Sequence, residues 1–293
     1  MNYGAGAVPD EWPYNALMTE TTSLARRPGG RAADALRPLK LQTGALKFAE
    51  GSVLIELGDT RVLVAASIDN RVPPFIKDSG RGWLTAEYSM LPRATHTRSA
   101  REVNQGKPSG RTAEIQRLIG RSLRAAFDLS AFPDRTLTLD CDVLQADGGT
   151  RTAAVTGAWV AANLAFGQLL LQGDIQTWPV RDQVAAVSVG VVDGAPVLDL
   201  EYVEDQAAEV DMNVVATAGG DLVEIQGTGE KRSFRRGEMD AMLDLAFGGI
   251  RQLVAAQNEA LAPTMEQVKQ VLAKGSNRRQ APPKPEKDMW GRP

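Results

Sequence analysis

From Thr152 to Gly173 the chain carries no charged residue, and that run limits the fold more than any other. Of the 20 residues from Thr152 to Leu171, 14 are Ala, Val, Leu, Phe or Trp; six of these are alanine, and Asn163 and Gln168 interrupt the pattern. A helix apolar all round must be covered. The alanine content, the polar interruptions and the mid-chain position favour a helix buried inside a soluble domain over a lone membrane span. With 293 residues, 43% of them hydrophobic and 24% charged, the chain can bury such a helix in one large domain or two smaller ones.

The run is entered through Asp147-Gly148-Gly149-Thr150-Arg151-Thr152. Before it, Thr136 to Leu144 alternates, with Leu137, Leu139, Cys141 and Val143 on one face and Thr136, Thr138, Asp140 and Asp142 on the other. That is the pattern of a half-buried strand. The six residues therefore read as a strand-to-helix turn. Glycines there let a ligand approach the backbone, and the free N–H groups and positive dipole at the helix start favour an anion. Arg151 adds a planar fork suited to phosphate. A turn that needs glycine only for its backbone angles explains the same letters.

Ser109-Gly110-Arg111-Thr112 looks like a second helix entrance, because Ile115, Leu118, Ile119, Ser122, Leu123 and Ala126 keep helical spacing and Ser109 can cap. Arg111 falls in its first turn. Arg117, Arg121 and Arg124 are about four apart and are expected on a solvated face opposite the apolar stripe.

Charge is unevenly spread although the net is only -3. Leu91 to Arg124 holds eight basic residues against two acidic ones, and Asp199 to Asp211 holds six acidic residues and no basic one. Arg93, Arg98 and Arg101 lie among Thr95, His96, Thr97 and Ser99 in an irregular region from Pro73 to about Gly110, where only Trp83 to Met90 reads as an element. Such polar groups contact phosphate and sugar, or simply make a solvated basic loop. Asp205 and Asp211 are expected at the ends of consecutive strand-like runs, where a tight turn would bring two oxygen donors together for magnesium. An acidic turn facing water is the alternative. A single histidine, His96, excludes a multi-histidine metal site. A single cysteine, Cys141, excludes an internal disulfide framework and fits a reduced, cytoplasmic setting as an inert core residue.

Elsewhere, Met1 to about Arg27 is polar, proline-punctuated and without a signal-peptide pattern, so a flexible arm is expected, with order beginning near Arg37. Ser52 to Leu57 and Arg61 to Ser67 read as a hairpin. Strands are expected at Val184 to Val192, Val197 to Tyr202, Val210 to Thr217 and Leu222 to Gln226, then a helix from Arg236 to Ala260. Gly227 to Lys231 reads as a turn, lacking the spacing of a phosphate loop. Lys274 to Pro293, with four prolines and six basic residues, reads as a disordered tail. Both halves run through strands into a helix, the pattern of an α+β fold.

Three ordered stretches, Arg81 to Arg93 (RGWLTAEYSMLPR), Ser109 to Arg121 (SGRTAEIQRLIGR) and Asp140 to Thr152 (DCDVLQADGGTRT), closely resemble the ribonuclease PH family of phosphorolytic exoribonucleases. Glu204-Asp205 and Val210-Asp211-Met212-Asn213 extend the match, which covers about Arg27 to Leu261. The resemblance implies a duplicated βαβ-rich α+β unit like the second domain of ribosomal protein S5. On that basis residues 1–26 form an arm, 27–261 the phosphorolytic domain and 262–293 a largely disordered extension. It also implies a homohexamer built as a trimer of dimers, and no membrane association. The implied activity is trimming of transfer RNA precursors from the 3′ end with inorganic phosphate as co-substrate. Carried over by position, Arg111, Gly149, Thr150 and Arg151 would hold phosphate, Asp205 and Asp211 would hold magnesium or act at the leaving oxygen, and Arg93, Arg98 and Arg101 would guide RNA. Three positions depart from the family pattern: Gly29 stands where aspartate is usual in Arg27-Pro28-Gly29-Gly30-Arg31, Gln206 where serine commonly follows Asp205, and Ser89 where glycine is usual.

Overall fold

A computed structural model describes residues 27–280. The expected amino-terminal arm, residues 1–26, and the last part of the tail, 281–293, lie outside the described residues.

The first half contains β1 (Leu39–Thr43), β2 (Gly51–Leu57), β3 (Thr60–Asp69), β4 (Trp83–Met90), α1 (Gly110–Ala126), β5 (Thr136–Gln145) and α2 (Thr150–Gln172). Its strands form one sheet in the order β1-β2-β3-β5-β4. β4 and β5 pair in parallel, with α1 as the crossover between them; the other pairs are antiparallel. The second half contains β6 (Val184–Val192), β7 (Ala195–Leu198), α3 (Tyr202–Ala207), β8 (Val210–Thr217), β9 (Leu222–Gly229) and α4 (Arg236–Gln280). Its sheet is ordered β7-β6-β8-β9 and is antiparallel throughout.

The uncharged run is explained by its place. α2 packs against β2, β3 and β5 of the first sheet and against β6 and α4 of the second half, so each side of the helix meets protein. By length and composition it could cross a membrane, yet 83% of its most apolar stretch is buried inside the protein. Two of its buried polar side chains find partners: Thr156 Oγ1 accepts from Ala186 N on β6 at 3.0 Å, and Asn163 Nδ2 donates to Trp159 O at 2.8 Å. From α4, the buried Gln257 donates to the carbonyls of Thr156 and Val184, tying α2, β6 and α4 together. α1 starts where expected, with Ser109 Oγ accepting from Thr112 N at 3.1 Å, and buries Ile115, Leu118, Ile119 and Leu123. Cys141 is buried on the apolar face of β5, where loss of solvation pushes its thiol far up and makes it unreactive.

Four expectations need correction. The strand expected over Val197 to Tyr202 ends at Leu198, because Asp199 takes a left-handed φ of 55° and Glu201 with Glu204 forms a reciprocal capping box that starts α3. Order begins before Arg37: Arg27 and Arg31 are already engaged with Glu204, at 2.6 and 2.7 Å. α4 does not stop at Ala260 but runs through Pro263 to Gln280, so 262–280 is helical instead of disordered. Leu261 and Val268 are buried, and Gly167 lies so close to Thr264 that a Cβ on the glycine would come within 2.7 Å, so packing against α2 outweighs the proline. Of the arginines expected to be solvated on α1, Arg117 and Arg121 are exposed, Arg121 pairing with Glu224 at 3.3 Å, but Arg124 is half-buried: it lies 4.7 Å over the Trp83 ring and donates to Leu84 O at 2.9 Å.

Candidate active site

The turn between β5 and α2 is built for close approach. Gly148 and Gly149 have φ of 77° and 64°, a region that favours glycine. A Cβ on Gly148 would stand 2.4 Å from Leu200 O. Gly149 is the N-cap of α2, so the first N–H groups of a 23-residue helix open there without intrahelical acceptors. Thr150 follows, its hydroxyl held by the buried Tyr88 OH at 2.9 Å.

Two guanidinium groups reach the same cleft from different helices. Arg111 is exposed on the first turn of α1. Arg151, on the first turn of α2, is half-buried and steered from behind: Nη1 donates to Gln226 Oε1 at 2.9 Å and to Glu114 Oε2 at 3.3 Å. Gln226 in turn donates to Glu114 Oε1 at 2.6 Å, so β9 and α1 together orient the arginine of α2.

The carboxylates stand opposite. Asp205 projects from α3 and Asp211 from β8, so they meet through a helix and the following strand, not through the expected turn between two strands. Burial pushes the Asp205 carboxyl up, with Arg111 and Arg151 opposing. Asp211 is pushed up to about 6, first by burial and then by Asp205, against the pull of the same arginines. Two carboxylates and two arginines therefore share one field. No group of three or more His, Cys, Asp or Glu side chains is placed to hold a metal among the described residues. Two carboxylates alone suit a divalent ion that fills its shell with water and substrate phosphate oxygens.

The cleft has a volume of about 660 Å3 and is lined by Arg111, Gly149, Thr150, Arg151, Asp205 and Asp211, six residues singled out from sequence and drawn from α1, α2, α3 and β8. Arg93, Arg98 and Arg101 do not line it. They are exposed on the loop after β4, which reaches the cleft through Thr95 and rests on α3 through a ring contact of 5.4 Å between His96 and Tyr202. Arg93 is turned back on this loop, donating to His96 O. Gln226, Thr228 and Lys231 line the cleft too; Gln226 carried no signal of its own, and Thr228 and Lys231 fall in the stretch set aside as a turn, where β9 instead continues through Gly229. The local cue available was Glu114, three residues after Arg111 and hence on its helix face.

Family models described as "3′ exoribonuclease family, domain 1" and "domain 2" match residues 35–165 and 182–249. Among solved structures, Rrp46 of rice (Oryza sativa) is 19% identical, covering 80% of this chain and 100% of that chain with a TM-score of 0.65. An archaeal exosome core is 22% identical, covering 78% and 90% with a TM-score of 0.62. The exosome of Archaeoglobus fulgidus with RNA bound to its active site is 24% identical, covering 78% and 91% with a TM-score of 0.65. These likenesses show the fold, and the expected α+β architecture like the second domain of ribosomal protein S5 holds.

Proposed function

This chain belongs to the 3′ exoribonuclease family, and from that membership we propose that it is a phosphate-dependent tRNA nucleotidyltransferase, trimming 3′ extensions of transfer RNA precursors and releasing nucleoside diphosphates. The observation that carries the proposal is the convergence on one cleft of an anion cradle and a carboxylate pair. Phosphoryl transfer depends mainly on positioning and on neutralising charge, and those are the chemical capacities of these groups.

In this reading Gly149, Thr150, Arg111 and Arg151 hold inorganic phosphate as nucleophile. One of its oxygens attacks the phosphorus of the last phosphodiester; the bond from that phosphorus to the 3′ oxygen of the preceding nucleotide breaks. That oxygen takes up a proton, leaving RNA one nucleotide shorter with a free 3′ hydroxyl, and the departing nucleotide carries a diphosphate. Asp205 and Asp211 would hold magnesium, which when bound neutralises phosphate charge. If the pair instead acts directly at the leaving oxygen, Asp211, whose carboxyl burial and Asp205 raise to about 6, would be the one to carry the proton to it. Arg93, Arg98 and Arg101 line the approach of the single-stranded end, a polyanion whose binding weakens with salt. The proposal includes assembly as a homohexamer, a trimer of dimers, for which light scattering should return six times the 31.5 kDa of the chain.

The test is a transfer RNA carrying extra 3′ nucleotides, incubated with pure protein and magnesium, with and without inorganic phosphate. Nucleoside diphosphates that form only with phosphate support the proposal. Monophosphates formed without it would instead mean hydrolysis, with water as nucleophile. No shortening in either tube would mean a non-catalytic RNA-binding ring subunit; the presence of Arg111, Arg151, Asp205 and Asp211 in one cleft argues against that.

A further inference from the structure

Behind the glycine turn lies a buried network of ions that the proposed reaction does not use directly. Arg37 is 5% exposed and Asp199 1%. The Asp199 carboxylate accepts from Arg37 Nη2 at 2.7 Å, Nε at 3.1 Å and backbone N at 2.7 Å. The same guanidinium donates forward to the carbonyls of Asp147 and Gly148. Thr60, fully buried, completes the arrangement: its Oγ1 donates to Gly148 O at 2.6 Å and accepts from Asp147 N at 3.0 Å.

We propose that Arg37, backed by Asp199 and Thr60, is a positioning residue that aims the backbone N–H of Gly149 into the cleft. In a planar trans peptide the C=O and N–H point in opposite directions. Holding the Gly148 carbonyl against Thr60 and Arg37 therefore turns the Gly149 N–H away from them, toward the anion site that Gly148 and Gly149 line. Neither glycine has a side chain to resist rotation of that peptide, so the restraint has to come from behind. Asp199 is itself kept in a left-handed conformation, its N bonded to Ser188 O at 2.7 Å, so the carboxylate that holds Arg37 is anchored on β6.

The network continues to the carboxylate side. Glu204, 3% exposed, accepts from Arg27 at 2.6 and 2.8 Å and from Arg31 at 2.7 Å, while Arg31 also donates to Asp199 O at 2.7 Å. Glu204 adjoins Asp205, so the segment from Arg27 to Arg37 straps α3 and the glycine turn to one another. This gives Arg27 and Arg31 a place in the site, and Gly29, the departure from the family pattern, takes part in neither interaction.

The inference rests on the reading that this turn binds the attacking phosphate. Its test uses the full-length chain with Arg37→Met combined with Asp199→Asn, which leaves no unpaired buried charge, and separately Thr60→Val. For each variant the melting temperature, the KM for phosphate and for RNA in trimming, and the calorimetric affinity for inorganic phosphate are measured. The double variant is expected to raise the phosphate KM about tenfold, the loss expected when a hydrogen bond to a charged ligand is misdirected, with RNA KM within about twofold. Thr60→Val should shift phosphate affinity in the same direction. A merely structural role would lower the melting temperature without separating the two KM values. Folded variants whose phosphate KM stays within about twofold of the parent would overturn the inference, and Thr60→Val decides alone if the double variant does not fold. Should the parent itself bind no phosphate or trim without it, the underlying reading falls and the inference with it; a phosphate-dependent parent with unaffected variants removes the inference alone.

Discussion

Replacing Asp211 by asparagine should make the metal-free protein more stable while abolishing trimming. The Asp211 carboxyl is raised from its usual 3.8 to about 6 by burial and by neighbouring Asp205. Below pH 3.8 the folded and unfolded chains both carry the proton and no penalty exists. Between 3.8 and about 6 the unfolded chain releases it first, so rising pH favours unfolding. Above about 6 the penalty is complete and constant. At 1.36 kcal/mol per tenfold change the upper bound is about 3 kcal/mol. Asp211 retains some solvent contact, so about 1–3 kcal/mol is the expected gain on removing the charge. Asparagine keeps the shape and can still accept from Asn213 Nδ2, which lies 3.5 Å from Asp211 Oδ2. For a chain of this size each kcal/mol moves the melting temperature by about 2–4 °C. Melting curves in chelator from pH 4.5 to 8 should therefore show Asp211→Asn above the parent, the gap widening up to about pH 6 and then level. Magnesium should raise the parent and leave the variant unmoved, because ligand binding stabilises only the chain that holds it. A variant that melts at or below the parent between pH 6 and 8 would refute the placement of Asp211 as a charge held against its solvation.

Arg151→Ala should abolish phosphate-dependent product formation while RNA affinity by anisotropy stays within about twofold, because Arg93, Arg98 and Arg101, the arginines proposed to meet RNA, lie outside the cleft; equal loss of both would contradict its assignment to phosphate. Arg98→Ala with Arg101→Ala should do the reverse, raising RNA KM, leaving phosphate KM alone and lowering the salt slope of RNA binding by about one for each RNA phosphate no longer neutralised. Gly148→Ala should cost at least about 1–3 kcal/mol, since its φ of 77° is strained for alanine and the new Cβ would stand 2.4 Å from Leu200 O. Gly173→Ala, with φ 84° and open space around it, is the control, and thermal melts should rank the two.

Much of the fold is legible in the residues because it is local. Alternation marks β5, a serine cap and helical spacing mark α1, and an uncharged run marks α2, each through interactions a few positions apart. The turn at Gly148 and Gly149 is legible for the same reason: positive φ and a helix start are properties of neighbouring residues. The misread stretches are those in which distant groups intervene. Val197 to Tyr202 has the letters of a strand, but Asp199 is drawn into a left-handed conformation beside Arg37, some 160 positions away in sequence. Residues after Ala260 stay helical because α2 offers Leu261 and Val268 a surface to bury against.

By itself, then, the sequence singled out the candidate groups: two arginines at helix starts, a glycine turn and a pair of aspartates. Only the tertiary structure decided that they form one site, and that α3, not a strand, delivers Asp205. It also decided which residues hold them in place, with Gln226 and Glu114 behind Arg151, Thr60 and Arg37 behind Gly148, and Arg27 and Arg31 on Glu204. Those partners come from sheets and helices far apart along the chain, and burial is what makes their pairing obligatory. A guanidinium or carboxylate removed from water must find its counter-charge within the fold, and no local pattern of residues records where that counter-charge will be.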